Sequence, residues 1–286
     1  MPPLPPPPPP PSPSPAFEIT LVNTGLVADY DEELARAKAR WEEIITGDLP
    51  DHSPATINHG DWFYGRLSQP FVGHVDDVVI GYEFTAIDGE GDVLGSAGPI
   101  YATPPPHSRT ISGSMRFDLA DFPLFEPVDR YLILLHEMGH TLGLVGSLGR
   151  CGLCSAADGF AYSASCTRAH AEYDKLGLEV RLALEEAGGE GKECHHWSEH
   201  SFPDPVASEI MTGYFEEHLE QPLSRVTVAA LADLGGYTVD YARADPYPLS
   251  TRRRLDGSNS TVLAPTTSFT LIGRIAHEEP IVLPST

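Results

Sequence analysis

The sequence predicts an α+β fold, with helices packed on a mixed twisted sheet and a mostly irregular C-terminal lobe after it. Three observations predict this. Strand-like runs and one acidic-start helix precede residue 120. A strongly apolar helical stretch, Tyr131–Gly143 (YLILLHEMGHTLG), follows them. Beyond it the chain turns rich in glycine and loop residues, with one further helical period near its end.

Residues 1–15 are almost wholly proline and read as a disordered polyproline tail outside the fold. Its functional readings are a stiff spacer, a wall-type glycosylated stalk or a ligand for proline-binding modules. No charged start followed by an apolar run reads as a signal peptide. Phe17–Val22 alternates like a strand. Asp31–Thr46 reads as a helix, with acidic residues in its first turn, Leu34, Ala37, Trp41 and Ile44 as its apolar stripe, and Gly47 as its stop. Val78–Ile87 and Ser112–Leu119 read as further strands.

In Tyr131–Gly143 the apolar residues Leu132, Leu135, Met138 and Leu142 recur at three- and four-residue steps. Pro127 suits the first turn, and Gly143 suits the stop. His136 and His140 therefore stand one turn apart on one face, where two imidazoles can grip one ion. Glu137 lies about 100° round from His136 and can act on a water beside that ion without ligating it. Two zinc designs share this HExxH pattern. The glycines of Gly143–Gly152 favour the one in which the chain turns sharply after the helix. Its usual third histidine position, three residues past the glycine, is Gly146 here, so the third ligand must come from farther on.

Together, HEMGHTLGL, a long insertion, HHWSEHSFPDPVASEIMTGY (His195–Tyr214) and LSRVTVAALADLGGYTVDY (Leu223–Tyr241) resemble a leishmanolysin-type zinc metalloendopeptidase of the metzincin clan. The resemblance implies a metzincin-like fold with a Met-turn, and hydrolysis of protein or peptide substrates. It implies that His196, before Trp197, is the third zinc ligand beside His136 and His140, that Glu137 is the catalytic base and acid, and that Met211 lies in the Met-turn below the metal, with Gly143 as the turn. The implied plan is a catalytic domain over 16–250. It comprises an N-terminal lobe with the metal helix (16–143), a cysteine-bearing insertion (144–195) and a C-terminal lobe (196–250). Residues 251–286 are tail or short strands. His195 competes with His196. Glu172, Glu179 and Glu185, on an expected helical stretch Thr167–Ala187, are the ligands of the rival Glu-ligated design. Tyr214 is read as a packing residue or cleft wall.

Asp88–Pro99 resembles the turn and edge strand that rim metzincin clefts. Leu94, Gly95, Ser96 and Ala97 are the candidate rim, since an open edge pairs with any extended peptide. Asp88, Glu90 and Asp92 alternate as candidate Ca2+ ligands, although acidic residues are also common in plain glycine turns. Cys151, Cys154, Cys166 and Cys194 read as two disulfides of open connectivity, with a structural zinc site as the alternative. Ser224–Leu234 is the last helix. Asn259–Thr261 forms a glycosylation sequon, and Arg252–Arg254 a candidate processing site.

A net charge of −23 speaks against nucleic acid and anionic membranes as partners. No run is long and apolar enough to span a bilayer. The expected setting is extracellular or at the cell surface, as a monomer, with wall or membrane-surface association through the tail. The rival function is a catalytically inactive wall, adhesion or binding module.

Overall fold

The computed structural model describes residues 16–25, 30–57, 71–104, 109–145, 151–153, 159–188, 192–203, 207–216, 219–248, 269–272 and 281–282. The polyproline tail, the sequon and the arginine run lie outside these residues. Mixed α and β structure is present, with four α-helices and a mixed sheet among the described residues.

The chain begins with strand β1 (Ile19–Asn23), helix α1 (Asp31–Ile44) and a hairpin of β2 (His52–Ile57) and β3 (Phe71–Val75). The strands β4 (Val78–Thr85), β5 (Val93–Ala102) and β6 (Thr110–Asp118) follow, and then helix α2 (Pro127–Thr141). In the sheet β1, β4 and β6 are parallel neighbours, and β5 runs antiparallel on β6. The unbroken apolar start of β4 has a physical cause: both of its faces are covered. Val78 and Ile80 join the main core under the helices. Val79 joins a second cluster with Ile57, Val75, Tyr101 and Ile111, beneath the hairpin. The hairpin itself had no distinctive signal in the sequence.

Helix α1 docks on α2 through its apolar stripe. Trp41 is fully buried, and its indole N–H donates to the Leu135 carbonyl at 3.0 Å. Close approach also explains a glycine inside α2. A Cβ on Gly139 would sit 2.8 Å from Met211 Sδ, 3.1 Å from Trp41 and 3.3 Å from Leu144. Gly139→Ala gains about 1 kcal/mol of helix preference but overpacks a buried junction at a cost of about 1–3 kcal/mol. The expected net result is a loss of stability of about 1 kcal/mol, read by urea unfolding. A more stable variant would show that this junction is loose.

After α2 the chain leaves the helix through Gly143, whose φ of 95° suits glycine. Two short strands, β7 (Gly152–Leu153) and β8 (Ala161–Tyr162), pair beside helix α3 (Thr167–Asp174). The expected helical stretch to Ala187 is corrected here. It ends at Asp174, and Gly177, at φ 65°, turns the chain into irregular structure. A disulfide joins Cys151 to Cys166. Cys154 lies outside the described residues, so the second expected bridge does too.

Strand β9 (Tyr214–Phe215) and helix α4 (Arg225–Asp233) follow. Ser224 caps α4, its hydroxyl accepting from the amides of Val226 and Thr227. Two strands from the last stretch, β10 (Phe269–Ile272) and β11 (Ile281–Val282), then join the sheet, both parallel to β5. The sheet order is β1-β4-β6-β5-β10-β9. The candidate rim Leu94–Ala97 is thus a strand, but its outer side is not the open edge expected from sequence, because β10 pairs along it.

Candidate metal centre

Helix α2 presents His136 and His140 from one face, and the segment after the insertion brings in His196. All three rings are completely buried. The Nε2 atoms lie 2.9 Å (His140–His136), 3.1 Å (His140–His196) and 3.2 Å (His136–His196) apart. Two of the three tautomers follow from the outer ring nitrogens. His136 Nδ1 donates to the Ile210 carbonyl at 2.5 Å, and His196 Nδ1 to the Lys192 carbonyl at 3.0 Å, since a carbonyl oxygen can only accept. The Nε2 atoms of these two neutral rings therefore carry bare lone pairs aimed at one place.

Burial holds His136 down to about 4. It also depresses His140 and His196, each lowered further by its imidazole neighbours, so the rings are neutral near pH 7. Neutral, buried, converging imidazole nitrogens are the donor set of a zinc site, in which ligand bonds of about 2.0–2.1 Å set neighbouring nitrogens a little over 3 Å apart. The residues fit a zinc ion. Glu137 supports this from the other side. Both its carboxylate oxygens are buried with no hydrogen-bond partner among the described residues, and burial raises its pKa well above the usual carboxylate value. An orphaned buried carboxylate beside three imidazoles is costly unless a cation and a water are there to meet it.

The candidates for other ligand sets are not drawn into this group. His195 is half-buried and stands outside it. Glu172 pairs with Arg225 at 2.8 Å and Lys175 at 2.6 Å. Glu185 accepts from the amides of Glu186 and Ala187, and Glu179 is exposed. Among the described residues one other group could hold an ion, the largely exposed Asp51, His74 and Asp76. Asp88, Glu90 and Asp92 do not form such a group. Their turn is tied by backbone donors instead. Asp118 Oδ2 accepts from Ile87, Asp88 and Gly89, and Asp121 Oδ1 accepts from Gly91. For Asp118, burial opposes the charge, but these amide bonds outweigh it and lower its pKa.

Met211 is fully buried with its Sδ close to Gly139 of α2, and the carbonyl of its neighbour Ile210 orients His136. The turn is held by residues that sequence reasoning missed. Glu209, wholly buried, accepts from the Met211 amide (2.7 Å), the Ser224 amide (3.1 Å) and hydroxyl (2.7 Å), and the Thr227 hydroxyl (2.6 Å). Thr227 in turn accepts from the Trp197 indole at 2.9 Å, and the Trp197 amide donates to the Met211 carbonyl at 2.9 Å. One carboxylate thus joins the His196–Trp197 segment, through Thr227, to the Met-bearing turn and the cap of α4. Its signal was present as a glutamate two residues before Met211, but only the fold shows what it binds. The half-buried Glu199 is another perturbed carboxyl, pushed up to about 8 by desolvation and by Glu216 and Glu185. Its Oε1 accepts from the Tyr214 amide at 3.2 Å.

On the upper side β5 crosses the metal helix at close range. A Cβ on Gly95 would lie 3.3 Å from Glu137 Cγ. Leu94 is fully buried, and Ser96 and Ala97 nearly so.

The fold and site define an α+β chain with a buried three-histidine group able to hold a metal ion and a carboxylate at its side. No protein-family model matches the chain. Over 81 residues it is 40% identical to a protein described as leishmanolysin-like peptidase from Drosophila pseudoobscura pseudoobscura. The matched stretch covers 28% of this chain and 10% of that protein, so the chain spans a small part of its relative's length. No helix among the described residues is long and apolar enough to cross a membrane.

Proposed function

We propose that the chain is a zinc-dependent endopeptidase of leishmanolysin type, with His136, His140 and His196 holding one zinc ion. The observation that carries this reading is the convergence of three buried imidazoles beside a buried, unpartnered Glu137. Zinc bound there would supply Lewis acidity toward a peptide carbonyl. Glu137 takes a proton from the attacking water and passes it to the leaving amine, a role open to a carboxylate with no other hydrogen-bond partner among the described residues. Ile210 and Lys192 hold the ring orientations through their carbonyls, and Glu209 holds the Ile210–Met211 turn. The β5 segment Leu94–Ala97 is the candidate for contact with an extended substrate backbone.

The disulfide supports placement in an oxidising, extracellular or cell-surface setting. A monomer acting on proteins or peptides completes the reading. The 16–250 catalytic unit with its 144–195 insertion is proposed on the same basis. The second reading, a non-catalytic binding module, is favoured by one observation, the strand β10 lying along the rim.

Cleavage of denatured casein by the zinc-loaded chain tests the proposal. Hydrolysis is expected, with at least a hundredfold loss after removal of zinc by a chelator and recovery on its return. Chelator-resistant hydrolysis, or none from a folded zinc-loaded sample, would reject it.

A further inference from the structure

We infer that residues 269–272 occupy the peptide-binding groove of this chain and hold it closed to other peptides. The inference deepens the proposed function and rests on it for what the groove normally receives. Three placements carry it. Strand β10 pairs parallel with β5 at Thr270–Val93, Leu271–Gly95 and Ile272–Ser96, the last two of which are rim positions. On its other side it pairs antiparallel with β9, at Phe269–Phe215 and Thr270–Tyr214, just past the turn that carries Met211. Leu271 therefore stands opposite Gly95, where an added Cβ would come within 3.3 Å of Glu137 Cγ. A strand laid between the rim and the wall beyond the Met-bearing turn takes the backbone bonds that an extended substrate would need.

The hold is weak enough to be released. Each ladder is two or three residues long, and the one on β5 shifts register between Thr270 and Leu271. Its strength comes from tethering. A linked segment acts at an effective concentration on the order of 1 mM. If the free segment binds with a dissociation constant of about 0.1 mM, the tether weakens any competing peptide roughly tenfold.

The test separates occupancy from catalysis by using full-length Glu137→Gln, zinc-loaded, with a fluorescently labelled unstructured peptide read by anisotropy. Leu271→Pro removes an amide from β10 and cannot sustain the ladder. It is expected to tighten peptide binding roughly tenfold. Thr270→Gly with Leu271→Gly keeps every amide, weakens the strand, and should tighten binding by a smaller factor. It serves if the proline variant does not fold, as judged by circular dichroism and zinc content. Added peptide SFTLIG (residues 268–273) should displace the label from either variant, and a scrambled peptide should not. Unchanged affinity in folded, zinc-loaded variants would overturn the inference and reduce β10 to an ordinary sheet strand. In the Glu137-containing chain, tighter binding without hydrolysis would instead reject the peptidase reading and leave the occupancy standing.

Discussion

Glu137→Gln is expected to abolish hydrolysis while leaving the metal site intact. The substitution is nearly isosteric and sits on a completely buried face of α2, so the backbone between His136 and His140 need not move. Neither carboxylate oxygen has a protein partner among the described residues, so no hydrogen bond in the fold is lost. What is lost is a group that can accept and return a proton. Positioned acid–base groups contribute about 10²–10⁴-fold, and here one residue serves both half-steps, which places the expected loss near the top of that range. Zinc stoichiometry and melting temperature should match those of the parent chain. Measured together with casein hydrolysis, a variant that keeps more than a tenth of the parent rate would remove Glu137 from the mechanism.

His196→Ala is expected to lower zinc affinity by more than a hundredfold. Binding energies of about 10–16 kcal/mol spread over four ligands correspond to roughly 3 kcal/mol for each, and His196 is proposed as one of three protein donors. The loss is not easily repaired nearby. Glu172 is engaged with Arg225 and Lys175, Glu185 with two backbone amides, and His195 stands outside the ligand group. The metal-free fold should suffer less, since among the described residues the ring donates one hydrogen bond, to the Lys192 carbonyl, worth about 1 kcal/mol. Competition with a chromogenic chelator gives the affinity, and His195→Ala is the control. Unchanged zinc binding in His196→Ala, or a loss in His195→Ala of equal size, would assign the third ligand elsewhere.

Much of the site's local geometry was legible in the sequence because a helix has a fixed period. Residues 136 and 140 must share a face, and apolar spacing says which way that face points, inward on α1 and the sheet. The acidic first turn of α1 and the placement of α4 after Ser224 were legible for the same kind of local reason. Burial of both faces of β4 could be heard in its unbroken apolar run. The short helix α3 was overread, because helical propensity beyond Asp174 yields to a single glycine at positive φ.

By itself, then, the sequence determined the elements whose cause lies within a few residues: the metal helix with its paired histidines and carboxylate, the turn at Gly143 and the amphipathic helices. Tertiary structure alone decided what depends on distant chain segments meeting. It brought His196 within 3.2 Å of His136 and joined Glu209 to Ser224, Thr227 and Met211. It also laid residues 269–272 along the rim that had looked like a free edge. The reason is physical. Helical period and turn preference are properties of neighbouring residues, whereas a backbone amide's partner across a sheet, or a buried carboxylate's donors, are set only when the whole chain has packed.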